Sequence, residues 1–296
     1  MCGIVGLFLK SPALAPQLGS HLAGMLDVMT DRGPDSAGFA IYGEPCAGMT
    51  KMTLRGSDMA GLPGALSAAL GETVLATPRD THMVLSLPTA LEPRARAWLA
   101  EHRPDVAITG AGARIELYKE VGRPADIARR FNLAGMAGTH AIGHTRMATE
   151  SAVTTAGAHT FSTGPDQCLV HNGSLSNHRS LRRRLEPQGI AFSTDNDSEV
   201  AAGYLTWRLS EGATLAEALQ SSLEDLDGFF TFVVGTETGF AVLRDPIACK
   251  PAVMAETDDY VAFGSEYRAL AGLPHIATAR VFEPEPARVY AWTHAP

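Results

Sequence analysis

The second residue of the chain is a cysteine, followed by Gly3 and the apolar run Ile4, Val5, Leu7, Phe8 in MCGIVGLF. A thiol at a chain end adds little packing, so its chemistry is the more informative property. Once Met1 is removed, Cys2 carries a thiol and a free α-amino group, whose pKa of about 7.7–8.0 lets it take the thiol proton directly or through one water. One residue then supplies both nucleophile and base. Attack on an amide creates an oxyanion, and HNG at His171, Asn172 and Gly173 offers a side-chain amide beside an unobstructed backbone N–H. Asn-Gly is equally a common hairpin turn, and the tripeptide alone leaves that reading open. GHTRMAT at 143–149 places Arg146 at the end of an apolar strand, where its guanidinium fork could grip a carboxylate. TDNDSEV supplies Asp195, Asp197 and Glu199 at the opening of a helix, where Asp is also a good cap. One carboxylate grip and one ammonium grip together would define an α-amino acid, although each alone is also compatible with a salt bridge or a cap.

These residues have to be held by regular structure, and the patterning supplies it. Leu18, Leu22, Met25, Leu26 and Met29 recur at helical spacing and predict an amphipathic helix to about Thr30. RGPDSAGFAIY reads as a turn into a strand. Between about Gly43 and Gly138 the pattern is looser: THMVLSLPT and VAITGAGARIELYKEV read as strands, EPRARAWLAEH and RPADIARRFNL as short helices. THAIGHTRMAT and QCLVHNGSL read as strand-then-loop segments, and NHRSLRRRLEPQG as a helix closed by glycine. Helices are predicted at NDSEVAAGYLTWRL and TLAEALQSSLEDL, then hairpins at DGFFTFVVGTETGFAVLRD and PAVMAETDDYVAFGSE. Consecutive hairpins imply antiparallel sheet. The run Arg179, Arg182, Arg183, Arg184 reads as a solvated helix face.

With 296 residues, 45% of them hydrophobic and 19% charged, the chain can bury a large core. A net charge of −8 argues against a nucleic-acid footprint and for a small polar substrate. No window approaches a membrane span. Four widely spaced cysteines, Cys2, Cys46, Cys168 and Cys249, with no CxxC pair and no secretory signal, predict free thiols in a cytoplasmic protein. His140, His144, His159 and His171 lack compact ligand spacing, so no metal is expected.

MCGIVG, RGPDSAG, GHTRMAT, LVHNGSLSN, TDNDSEV, DGFFTFVV, LRDPIACKPAV and FGSEYRAL follow the order and approximate spacing of the glutaminase domain of class II glutamine amidotransferases, a branch of the N-terminal nucleophile hydrolases. The resemblance covers nearly the whole chain outside the 44–138 region, and is nearest in flavour to the glutaminase portion of glutamate synthase and of N-methylglutamate synthase. It implies Cys2 as nucleophile, Asn172 and Gly173 as oxyanion donors, Arg146 as the holder of the glutamine α-carboxylate and Asp197 as the holder of its α-ammonium. Arg32 would brace the site near the N-terminus, and His159 with Thr160 would border the glutamine pocket. Two departures stand out: Met147 replaces a frequent tryptophan after the Thr-Arg pair, and TDNDSEV replaces a simpler TDTE form, which keeps Asp195 as a rival to Asp197. Beside this site, Cys46, Cys168 and Cys249 read as ordinary buried thiols.

The fold implied is α+β, a four-layer αββα sandwich, in a single 1–296 domain carrying an insert at about 44–138. The reaction implied is thioester formation on Cys2 with loss of ammonia, then hydrolysis to glutamate. No cofactor is expected in this chain, a flavin or iron–sulfur group belonging rather to a partner. The partners implied are glutamine and the synthase subunits of a glutamate synthase-like complex, with no nucleic acid, no membrane, and homo-oligomerisation left open. Two other readings stay open: a non-catalytic amino-acid-binding regulatory subunit, and a free-standing γ-glutamyl amide hydrolase.

Overall fold

The computed structural model describes residues 2–147 and 153–294. Its first half runs β1 (Gly3–Leu9), α1 (Leu18–Val28), β2 (Ser36–Tyr42), β3 (Met49–Arg55), α2 (Leu62–Leu70), β4 (Leu75–Arg79), β5 (His82–Pro88), α3 (Glu92–His102), β6 (Ala107–Gly112), β7 (Ile115–Val121), α4 (Pro124–Arg130) and β8 (His140–Arg146). Then come β9 (Phe161–Gly164), β10 (Gln167–Leu175), α5 (His178–Leu185), α6 (Asp197–Ser210), α7 (Leu215–Asp225), β11 (Gly228–Gly235), β12 (Gly239–Arg244), β13 (Val253–Glu256), β14 (Tyr260–Gly264), β15 (Arg280–Phe282) and β16 (Tyr290–Thr293).

Among the described residues these form three antiparallel sheets: β15-β13-β14-β1-β8-β2-β7, β16-β12-β11-β10-β9 and β4-β5-β3-β6. Side-chain alternation explains how the first two stack. On β1, Ile4 and Phe8 pack with Val170, Val233, Phe240 and Phe263 between the two larger sheets, while Val5, Leu7 and Leu9 pack outward against α1. On the far side, Leu169, Phe230, Phe232 and Val234 meet Leu181, Leu185, Val200, Tyr204 and Leu219 of α5, α6 and α7. Helices, sheet, sheet, helices is the expected four-layer αββα sandwich.

Helix α1 has Gln17 at its N-cap position with no side-chain capping bond, yet buries Leu18, Leu22, Met25 and Leu26. Each such burial contributes about 1.5–3 kcal/mol against about 1 kcal/mol for a cap, so packing decides. It ends at Val28, two residues short of the sequence-based boundary, and a 3-10 turn at Thr30–Arg32 follows.

Within the 44–138 region, β3 to β6 form the third sheet, with its own core of Met52, Leu54, Leu62, Leu66, Leu85, Leu87 and Leu99 under α2 and α3. The remainder joins the main body: β7 pairs with β2 from Ser36↔Val121 to Tyr42↔Ile115, and Ile127 and Ala128 of α4 pack with α1. VAITGAGARIELYKEV is therefore two strands, one in each sheet.

The strand-then-loop expectation for QCLVHNGSL fails. β10 pairs with β11 without interruption from Cys168↔Gly235 to Leu175↔Gly228, straight through His171, Asn172 and Gly173. A tight Asn-Gly hairpin turn needs positive φ at both residues, and neither has it. Long-range pairing has overridden the local turn preference.

Candidate active site

The site lies at one end of the space between the two larger sheets. On β8, Ile142 packs between them, so His144 and Arg146 share that face; on β10, Cys168 and Val170 do so, which puts Asn172 there too. Cys2 directly precedes β1, one residue beyond the last β1–β8 pair, Gly3↔Thr145. Its carbonyl accepts hydrogen bonds from Arg32 Nε at 3.0 Å and from Asn172 Nδ2 at 3.3 Å. Cys2 and Asn172 therefore meet although 170 residues separate them in sequence.

The N-terminal segment is firmly seated. Ile4 donates its N–H to Ser265 Oγ at 2.9 Å, and Ser265 N returns a bond to the Ile4 carbonyl at 2.9 Å. Arg32, 8% exposed, donates from Nη1 to Glu266 Oε1 at 2.6 Å, and Arg268 Nε meets Glu266 Oε2 at 2.7 Å. The bond from Arg32, reinforced by the Arg268 charge, holds the Glu266 carboxyl below its ordinary range. FGSEYRAL thus clamps the first residues from the other end of the chain.

Gly173 is required by close approach. A Cβ there would lie 2.0 Å from the Phe229 carbonyl oxygen and 2.7 Å from His171 Nε2, distances no side chain tolerates. Its N–H neighbours the Asn172 amide on a strand paired with β11 at both residues.

Arg146 closes β8 and is 9% exposed. Its carbonyl accepts from Asp35 N at 3.1 Å, which ties RGPDSAG to the strand end. Met147 is exposed at 36%, and Ala148 and Thr149 of the GHTRMAT motif lie outside the described residues, as does Met1.

Asp197 opens α6. Asn196 caps the helix by accepting from Ser198 N at 2.9 Å, while Glu199 is committed to four donors from Ser193 and Thr194 at 2.7–2.8 Å. The Asp197 carboxylate accepts from Leu175 N at 2.9 Å and from Ser198 Oγ at 3.3 Å, and stands 3.9 Å from His171 Nδ1. Its side chain keeps 23% exposure, whereas Asp195 is exposed on the preceding turn. Of the two carboxylates, Asp197 is the one placed against β10.

His159 and Thr160, 7% and 0% exposed, sit in the segment before β9. The His159 ring stacks on His144 with centroids 4.1 Å apart, and its Nε2 lies 3.3 Å from Ser198 Oγ, which also contacts His171 Nδ1 at 2.8 Å. Ser198, which the sequence reading did not single out, is thus the hub joining two histidines to Asp197. If its one proton goes to Asp197, both histidine nitrogens donate to its oxygen. Burial drives His144 down to about 3 and His171 to about 4, and pushes His159 well below its ordinary value. These rings are neutral at physiological pH. His144 Nε2, facing the His171 carbonyl at 3.2 Å, must be its protonated nitrogen, because a carbonyl only accepts. Among the described residues, no group of three or more His, Cys, Asp or Glu is arranged to hold a metal ion.

The other thiols differ from expectation. All four cysteines are free, but Cys46 and Cys249 are exposed, because both occupy irregular segments outside the cores. Only Cys168 is buried, and burial pushes its thiol up to about 12. No helix among the described residues is long and apolar enough to cross a membrane.

Comparison with known proteins bears on the same elements. A glutamine amidotransferase domain family matches residues 144–272, from His144 of β8 past the clamp at Ser265 and Glu266. The chain is 61% identical over 298 residues to the glutamine amidotransferase-like protein GlxB of Rhizobium meliloti (strain 1021), covering 99% of each chain. It is 35% identical over 306 residues to a putative glutamine amidotransferase of Methanothermobacter thermautotrophicus, covering 98% of this chain and 99% of the relative. In fold it is similar to the glutamine phosphoribosylpyrophosphate amidotransferase of B. subtilis, with a TM-score of 0.63 at 20% identity. That likeness covers 99% of this chain and 47% of the larger structure, so the chain spans about half its length. Full-length identity to two relatives, together with a shared αββα fold, makes this chain a member of the class II glutamine amidotransferases.

Proposed function

We propose that the chain is the glutaminase component of a glutamate synthase-like amidotransferase, hydrolysing the glutamine γ-amide through Cys2. The observation that carries the reading is the meeting of Cys2 with Asn172, beside Arg146 at the end of β8 and Asp197 at the start of α6. After removal of Met1, the Cys2 α-amino group takes the thiol proton, and Sγ attacks the γ-carbonyl carbon of glutamine. The carbonyl π electrons move to oxygen, which Asn172 Nδ2 and Gly173 N stabilise as an oxyanion. Collapse breaks the C–N bond, the amide nitrogen leaves as ammonia carrying the transferred proton, and water then cleaves the thioester to glutamate. Arg146 grips the α-carboxylate and Asp197 the α-ammonium, and together they set the side chain's reach to Cys2.

Because Arg146 acts on a part of glutamine that does not react, its loss is expected in binding. Arg146→Lys keeps the charge but loses the planar fork, and KM for glutamine should rise about tenfold with kcat within about threefold. Steady-state glutamate release checks both parameters.

The ammonia acceptor, on this proposal, is bound by a partner synthase subunit. Glutaminase kinetics of the chain alone and co-expressed with the products of its neighbouring genes test this: kcat/KM should rise on association with a synthase subunit, with ammonia incorporated into a 2-oxoacid. Full activity alone, with separate elution from every neighbour, would instead make the chain a free-standing amide hydrolase. Glutamine binding without turnover in any combination would favour a regulatory subunit.

A further inference from the structure

On β7 the residues facing the space between the two large sheets are Ile115, Leu117 and then Lys119. The first two continue the apolar core. The third places an ammonium where an aliphatic side chain would fit the pattern, and it is only 8% exposed. Lys119 Nζ donates to three backbone carbonyls, those of Ala156 at 3.2 Å, Ala158 at 3.0 Å and Thr160 at 3.3 Å. An ammonium has three N–H donors, so all are used. Burial lowers Lys119 to about 8, with the Glu199 charge opposing, and it stays mostly protonated at neutral pH.

The three carbonyls belong to alternate residues, and the residues between them touch the candidate site. A Cβ on Gly157 would stand 3.3 Å from Arg146 Nη1. His159 stacks on His144 and reaches Ser198 Oγ, the neighbour of Asp197. Gly38, paired with Lys119 across β2 and β7, leaves the space in which this segment lies: a Cβ there would be 2.2 Å from the His159 carbonyl oxygen. One short segment therefore lies against Arg146 and against Ser198, whose hydroxyl contacts Asp197, and one buried cation fixes its backbone.

We propose that Lys119 is a positioning residue for amino-acid recognition, holding segment 156–160 so that Arg146 and the Ser198–Asp197 pair keep the spacing of an α-carboxylate and an α-ammonium. The inference rests on the glutamine reading above. It assigns Lys119 no contact with substrate. A buried lysine kept only for stability would leave glutamine affinity untouched on removal. A positioning lysine changes affinity while sparing the chemical step, because Cys2, just before β1, and Asn172 and Gly173, on β10, lie on other elements.

The test is calorimetric titration of L-glutamine into Cys2→Ala protein, alone and with Lys119→Met, alongside kcat of the Lys119→Met protein that retains Cys2. Methionine keeps the length and removes all three donors. Binding should weaken about tenfold or more, kcat at saturation should stay within about threefold, and amides 154–160 should exchange with solvent faster while those of β1 and β10 do not. Lys119→Gln retains two donors, perturbs the core less and should weaken binding about threefold, so it decides the matter if the methionine variant does not fold. Unchanged affinity in a folded Lys119→Met protein, or unchanged affinity in Lys119→Gln when methionine is not tolerated, overturns the positioning role and leaves the glutaminase reading standing. A Cys2→Ala protein that does not bind glutamine overturns both.

Discussion

Replacing Cys2 by alanine should abolish glutamine hydrolysis, a fall in kcat of about 10⁴-fold or more, because the covalent route is lost with its nucleophile. The fold should survive. Cys2 is only partly buried, and what seats the N-terminus is the backbone: Ile4 N on Ser265, and the Cys2 carbonyl on Arg32 and Asn172. Alanine keeps all three. Glutamate release measures the loss, and an unchanged thermal midpoint separates it from unfolding. The competing thiols are chemically unequal. Cys168, pushed up to about 12, offers negligible thiolate at neutral pH, whereas Cys46 and Cys249 are exposed and available to any reagent. Retained turnover in Cys2→Ala would transfer the nucleophile's role to one of those two.

The second large effect is expected at Asn172. Loss of one oxyanion donor costs about 10²–10³ in kcat, so Asn172→Ala should fall in that range with KM little changed. In the structure the same amide donates to the Cys2 carbonyl, so alanine removes a tie on Cys2 as well as a donor. Asn172→Asp separates the two contributions. It keeps the shape but offers a negative acceptor where a donor is needed, and should be at least as damaging as alanine. Comparable kinetics for wild type and both variants would remove Asn172 from the reaction.

Much of this arrangement was legible in the sequence, and the exceptions have physical causes. Helical periodicity located α1, and EPRARAWLAEH is α3 residue for residue. The helix expected at TLAEALQSSLEDL is α7, which starts at a capping box formed by Thr214 and Glu217. Partners distant along the chain left no local trace. Asn172 and Gly173 look like a turn until β11 is placed beside them. The third sheet was legible only in part, because β4 is largely exposed and contains Pro78, a weak strand signal. Of the carboxylates in TDNDSEV, only helix geometry separates Asp197, held against Leu175 and Ser198, from the exposed Asp195. Ser198 and Lys119 escaped for a related reason. A serine in a cap region and a lysine in a mixed strand are ordinary locally, and become notable when buried among His159, His171 and three carbonyls. A period-two reading of Ile115, Leu117 and Lys119 was the signal that could have found the lysine.

The central claim, that Cys2 carries out the chemistry on glutamine, is tested most directly by covalent capture. The protein is incubated with a glutamine analogue bearing an alkylating diazoketone in place of the side-chain amide, then examined by intact mass and peptide mapping. One adduct per chain is expected, on Cys2, in protein that has lost Met1, with L-glutamine protecting against labelling. Labelling of Cys46 or Cys249 in its place, or full glutamate production by protein that still carries Met1, would contradict it.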